Sequence, residues 1–211
     1  MATSITGADA IERITIAGRI ISEIFRAIER MDLRRMRTID LNDRIDTIIR
    51  EHDASPAFLH YRGFPKSCCI SLNNEVVHGI PDGRRIEDGD LVKVDVGVTY
   101  KGYIADAART FPAGEIPSEA RKMLDVTEKA LADGVRAAQP GNKISDISRA
   151  VQSHVERHGY SVVRELTGHG VGRRLHEEPV IPNFVDGTTD RMIEKGMALA
   201  IEPMVNMGAY D

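Results

Sequence analysis

At 211 residues with 42% hydrophobic content, the chain can bury one substantial core, and nothing in its composition forces a split into independent domains. A formal net charge of -4 provides no overall electrostatic footprint for nucleic acid, so no specific nucleic-acid partner is expected. Cys68 and Cys69 are adjacent and so poor partners for an ordinary disulfide, while Asp9, Glu12 and Arg13 interrupt the opening apolar residues and no later run is long enough to span a bilayer. Neither a continuous secretory apolar stretch nor a membrane-spanning run is expected, and a cytoplasmic location is.

In chain order, Ile11, Ile14, Ile20, Ile21, Ile24, Phe25 and Ile28 recur mostly at three- and four-residue spacing and predict an amphipathic helix. Arg30, Arg34, Arg35 and Arg37 follow, a basic run that could meet an anionic partner or form a solvated, salt-bridged helix face. Leu41, Ile45, Ile48 and Ile49 predict a shorter helix, which Pro56 closes off. Residues 61–71 read as a loop entering a strand that runs to Val76, Val77 and His78. From Leu91 to Phe111 the chain is β-branched and alternating about Tyr100-Lys101-Gly102, which predicts a hairpin. Ser118 is placed to cap a long helix ending before Pro140-Gly141, and Ser145 a second ending at Gly159, with a strand from Tyr160 to Val163 behind it. Residues 1–55 are expected to form a helical segment packed on a main domain of residues 56–211.

A weak internal repeat carries more information than any single element. The segment from Ile86 to Asp95 matches that from Ile193 to Glu202 in its Ile-Glu-x-Gly turn and in the carboxylate that ends it, and a His-Gly-(Ile/Val) triplet precedes each copy at His78 and His169. Such a repeat can be purely architectural, but both copies set a carboxylate in an apolar strand. Asp95 lies between Val94 and Val96, where an isolated charge costs several kcal/mol unless a cation or strong donors compensate it. Folding the hairpin about Lys101 places Asp106 nearly opposite Asp95, and two like charges there call for a divalent cation. A single strand aspartate facing solvent would need no such explanation; the pair together with Glu202 does.

His52, His60, His154 and His158 read as ordinary polar residues, whereas His78 and His169 stand in the repeated triplet and His176 follows in Leu175-His176-Glu177-Glu178-Pro179. One histidine with several carboxylates is an oxygen-rich ligand set, suited to manganese, iron or cobalt and open to zinc or nickel. Two carboxylates shared by two ions point to hydrolysis by a metal-activated water.

Phe64-Pro65-Lys66-Ser67, the stretch from Asn74 to Pro81, the hairpin from Asp95 to Asp106, the stretch from Thr167 to Gly172, His176-Glu177-Glu178-Pro179 and Ile201-Glu202-Pro203-Met204 together resemble the type I methionine aminopeptidases over nearly the whole chain. The resemblance implies an α/β pita-bread fold, a curved antiparallel sheet with two pairs of helices, and two divalent ions. It implies that Asp95 chelates one ion, Asp106 bridges both, and His169 and Glu202 hold the other, with Glu202 also carrying the proton of the attacking water. His78 would contact the scissile amide or the substrate amino end, and His176 the carbonyl oxygen as it becomes an oxyanion. Tyr61, Phe64, Cys69 and Leu175 would line the pocket for the methionine side chain, although ordinary core packing explains Cys69 and Leu175 equally well. The implied substrate is the N-terminal methionine of nascent chains with a small second residue, the implied state a monomer, and the ribosome a candidate partner.

The family also supplies a second bridging carboxylate, a Glu on a strand near the end of its domain, and this chain reaches only Asp211. From this the chain is expected to be a truncated, weakly active or inactive form, with Asp211 a poor replacement. A non-catalytic pita-bread scaffold that binds peptides or proteins, and a proline-directed peptidase of the same fold, are the alternatives.

Overall fold

The computed structural model describes residues 7–187 and 190–210, so Asp211 lies outside the described residues. It divides into two compact units, the first built from Ala8–Pro117 with Arg173–Leu175, the second from Ser118–Gly172 and the chain from His176 on.

In the first unit, helices α1 (Ala8–Glu29) and α2 (Thr38–Glu51) are followed by strands β1 (Ser55–Pro56), β2 (Cys69–Leu72), β3 (Leu91–Tyr100) and β4 (Tyr103–Pro112). β3 pairs antiparallel with all three other strands. Its alternation decides its faces. Val92, Val94, Val96 and Val98 are fully buried in one cluster with Ile20, Ile24 and Ile28 of α1 and Leu41, Ile45 and Ile49 of α2, each such side chain contributing about 1.5–3 kcal/mol by leaving water. Residues 8–51 thus share a core with the strands that follow, and the boundary between compact units falls after Pro117. Ile11, expected on the apolar stripe, is 50% exposed.

Three expectations need correction here. The strand predicted to reach His78 stops at Leu72, because Asn73 turns back at φ 49° and Glu75 takes the Leu72 N–H onto its carboxylate at 2.8 Å. Such local side-chain bonds compete with a sheet ladder. The hairpin turn has two residues, not one: Lys101 and Gly102 have φ 46° and 79°, the twist that a tight two-residue turn requires, and Tyr100 pairs with Tyr103. Asp106 therefore faces Gly97, and Asp95 faces Ala108. The two aspartates are diagonal neighbours on one face, not opposite partners. The arginine run lies in the connection between α1 and α2, not on a helix face, with Arg34 ion-paired to Asp32 and Arg37 to Asp40.

The second unit contains α3 (Ser118–Ala137), α4 (Ile144–Arg157), β5 (Ser161–Val162), β6 (Thr167–Gly170), β7 (Glu177–Pro182), β8 (Leu199–Ala200) and β9 (Val205–Asn206). The strands form two antiparallel sheets, β7-β6-β8 and β5-β9. Gly134 lets the helices approach, since a Cβ there would stand 2.9 Å from a methyl of Val151. Ser118 is the first helical residue of α3. At α4 the cap is Lys143, whose N–H donates to Asp146 at 2.9 Å, leaving the predicted cap Ser145 inside the first turn.

The repeat survives in the backbone of its turns: Ile86 and Ile193 are both buried, and Gly89 and Gly196 have φ 89° and 97°. It fails at its end. Asp95 lies in a ten-residue strand, whereas Glu202 follows the two-residue β8 in irregular chain. Pro203 explains this, because it has no N–H for a ladder and restricts the residue before it.

Candidate metal centre

On the open face of β3 and β4, Asp95 and Asp106 are both half-buried, and Cys69 of β2 is the register partner of Asp95. Burial, and then the Asp95 and Asp106 carboxylates, push the Cys69 thiol well above its ordinary range. The thiol thus reports a shared negative field, which a cation would relieve. Gly97, between the aspartates on this face, admits the ring of Phe58, which a Cβ at Gly97 would strike at 2.6 Å. Phe58 went unnoticed in the sequence; the glycine inside a β-branched strand was the available signal of a close approach.

His78 is exposed in the excursion after β2, at φ 61°, a conformation costing a non-glycine residue about 1–2 kcal/mol. Its neighbour is pinned. The Gly79 N–H donates to Ser71 Oγ at 2.9 Å, and the Ile70 N–H donates to the Gly79 carbonyl at 2.9 Å. Arg84 closes the base of the excursion by pairing with both Glu75 and Asp82. Tyr61 is half-buried in a 3-10 turn, Tyr61–Gly63, Phe64 is half-buried directly after it, and Leu175 is buried.

In the second unit, His169 sits on β6 at 7% exposure. Its Nδ1 lies 2.9 Å from the Gly170 carbonyl, which can only accept, so Nδ1 carries a proton and Nε2 is the nitrogen left to face the site. Nε2 faces Glu202 Oε1 at 3.1 Å. That oxygen is buried, and the imidazole and carboxylate stand within ion-pair distance, charged on both sides only when the imidazole is protonated. A cation accepts from both, and an imidazole whose other nitrogen is tied to a carbonyl is the usual form of a metal ligand. The donor set therefore fits a divalent ion.

The glycines flanking His169 are required by crowding. A Cβ at Gly168 would lie 2.3 Å from the Ala200 carbonyl oxygen, and one at Gly170 would lie 2.2 Å from that of Glu178, where a bulge shifts the register between His169 and Gly170. His176 is exposed, its ring centroid 4.3 Å from that of His169. Within the units, then, Asp95, Asp106 and Cys69 are grouped in one, and His169, His176 and Glu202 in the other.

Carboxylates on neighbouring strands, and an imidazole set against a buried carboxylate oxygen, fit a metal-dependent protein. The chain belongs to metallopeptidase family M24, whose model matches residues 12–210. It is 43% identical to the methionine aminopeptidase of Clostridium perfringens over 194 residues, 92% of this chain and 78% of that protein. With methionine aminopeptidase 1 of Bacillus subtilis it shares 42% over 193 residues, again 92% and 78%. The crystal structure of methionine aminopeptidase from Rickettsia prowazekii superposes with a TM-score of 0.96 at 37% identity, covering 100% of this chain and 85% of that one. A prolidase from Pyrococcus furiosus has the same core at lower likeness, TM-score 0.80 and 26% identity, over 94% of this chain and 57% of that one. The fold is the α/β pita-bread fold, and the family is one of metal-dependent peptidases. Among the described residues no helix is long and apolar enough to cross a membrane.

Proposed function

We propose that the protein removes the N-terminal methionine from nascent proteins and peptides whose second residue is small, using two divalent ions held by Asp95, Asp106, His169 and Glu202. The observation that carries this reading is the approach of His169 Nε2 to the buried Oε1 of Glu202 at 3.1 Å. When bound, divalent ions supply Lewis acidity and a water of lowered pKa. The remaining work falls to side chains: Glu202 carries the proton from the nucleophile to the leaving amine, His78 hydrogen-bonds the substrate at its amino end or scissile amide, and His176 donates to the carbonyl oxygen as charge develops. Tyr61, Phe64, Cys69 and Leu175 enclose the methionine side chain. The setting is the cytoplasm, the state a monomer, and Arg30 and Arg35 of the α1–α2 connection are the candidate ribosome contacts, to be checked by co-sedimentation with ribosomes.

The test is methionine release from Met-Ala-Ser with added manganese or cobalt, run beside Leu-Ala-Ser, Met-Leu-Ser, an Xaa-Pro peptide and a chelated control. Release from Met-Ala-Ser alone, abolished by the chelator, is the expected result. Equal rates across the panel would overturn the pocket, and cleavage confined to Xaa-Pro would assign the prolidase activity instead. No release from any peptide would leave a peptide-binding scaffold.

A further inference from the structure

Helix α2 carries a polar row on an otherwise apolar inner face. Asn42 is 5% exposed on the same helix as the fully buried Leu41, Ile45 and Ile49. Its side-chain oxygen accepts the Ser67 N–H at 3.0 Å and the Cys68 thiol at 3.6 Å, while its amide donates to Asp43 at 3.0 Å. One turn further, Asp46 accepts the Ser67 hydroxyl at 2.6 Å and is itself gripped by Arg50 through contacts of 2.6 and 3.1 Å. Positions 42, 46 and 50 recur at four-residue spacing and so lie along one stripe of the helix. Outside their own helix, Asn42 and Asp46 reach across to Ser67 and Cys68.

Asn42 supplies the acceptor for the buried Ser67 N–H, so an apolar residue here would orphan that donor and release the segment it holds. That segment matters because Ser67-Cys68 is the second half of the four-residue span between Phe64 and Cys69. Both of these are assigned to the methionine pocket under the proposed function. We infer that Asn42, supported by Asp46, is a positioning residue that sets the selectivity of this pocket by fixing the Phe64–Cys69 segment; the inference rests on that pocket reading. Neither residue touches the substrate. Their influence passes through the Ser67 N–H and hydroxyl, which anchor the segment at two points and fix how far Phe64 and Cys69 reach.

Calorimetric titration of the manganese-loaded protein with L-methionine and with L-leucine tests this. The wild type should prefer methionine, and Asn42→Leu, which removes the acceptor at similar volume, should lower the preference by about tenfold, the scale on which apolar pockets discriminate by shape. Asn42→Asp keeps an acceptor for the Ser67 N–H but sets a carboxylate beside Asp43 and Asp46. It should lose thermal stability while retaining the preference, a split that a merely structural role would not produce. If Asn42→Leu does not fold, Ser67→Ala is the second variant, and its preference should fall. A wild type that prefers neither amino acid overturns the pocket and this inference with it. A preference that survives Asn42→Leu leaves the pocket standing and overturns the role of Asn42; where that variant is unfolded, a preference that survives Ser67→Ala, which keeps the N–H and removes only the hydroxyl held by Asp46, overturns the two-point anchoring of the segment.

Discussion

Gly170→Ala is the sharpest probe of how β6 presents His169. A Cβ at position 170 would lie 2.2 Å from the Glu178 oxygen, 2.7 Å from its carbon and 3.1 Å from the Glu177 oxygen. Carbon–oxygen contacts in sheets settle near 3.3–3.6 Å, so β6 and β7 must part by about 1 Å. All three atoms are backbone, and no side-chain rotation relieves the clash. Overpacking of this kind costs about 1–3 kcal/mol, here toward the upper end, and the lower chain entropy of unfolded alanine returns about 0.4–1 kcal/mol of it. The net loss, about 2 kcal/mol, corresponds to a fall of roughly 5 °C in Tm for a chain of this size. The larger effect is on binding: ligand distances at a metal tolerate about 0.2 Å, far less than the displacement imposed next to His169. Differential scanning calorimetry with chelator and with manganese reads both effects. Gly208→Ala is the control, since a Cβ there has nothing within 4 Å and the position has no positive φ. A Gly170→Ala protein with an unchanged Tm and an intact manganese-induced rise would refute the claim that crowding at β6 fixes the imidazole.

Glu202→Gln should lose the manganese-induced rise in Tm, because a neutral amide is a far weaker cation ligand than a carboxylate; a rise equal to that of the wild type would contradict a metal-holding role for Glu202. Asp46 provides a pH signature. Its hydrogen bond to Arg50, with help from Ser67, holds its carboxyl below the usual range. A depressed folded pKa means that its stabilisation is present above the ordinary aspartate range and is lost as pH falls through the folded value. Asp46→Asn should therefore lower Tm near neutrality, with the gap to wild type closing as acid protonates the carboxyl; a gap that is constant with pH would remove Asp46 from the argument.

The helices were legible because burial imposes a period, and Ile20, Ile24, Ile28, Leu41, Ile45 and Ile49 occupy the core that their spacing predicts. The hairpin was legible for the same reason, but its register was not. Taking Lys101 as the centre sets Asp95 nearly against Asp106, whereas the turn includes Gly102 and slides the pairing so that Asp95 meets Ala108. A one-residue difference in turn length is a matter of backbone twist that apolar spacing does not encode. Val76, Val77 and His78 failed for another reason: their β-branched character suggests a strand, but Asn73 and Glu75 satisfy the backbone with side chains and release the chain. Phe58 and Asn42 were invisible because their roles depend on partners far away in sequence, a bare Cα at Gly97 and the amide of Ser67.

The two copies of the Ile-Glu-x-Gly turn share a backbone, yet deliver their carboxylates differently. After the first, β3 runs ten residues and returns through β4, so Asp95 and Asp106 are fixed on paired strands with ladder hydrogen bonds on both sides of each. After the second, β8 lasts two residues and the chain runs irregularly through Glu202 and Pro203 before β9 pairs with β5. A carboxylate that must hold a cation gains from rigidity, because a misplaced ligand loses most of its affinity. One that must take a proton from one atom and deliver it to another needs rotational freedom while remaining within reach of both. Asp95 and Asp106 have the first setting, and Glu202 has the second, with its buried oxygen near a single imidazole. The irregularity at Pro203, which breaks the symmetry of the repeat, is thus the structural feature that suits Glu202 to the proton-carrying role proposed for it.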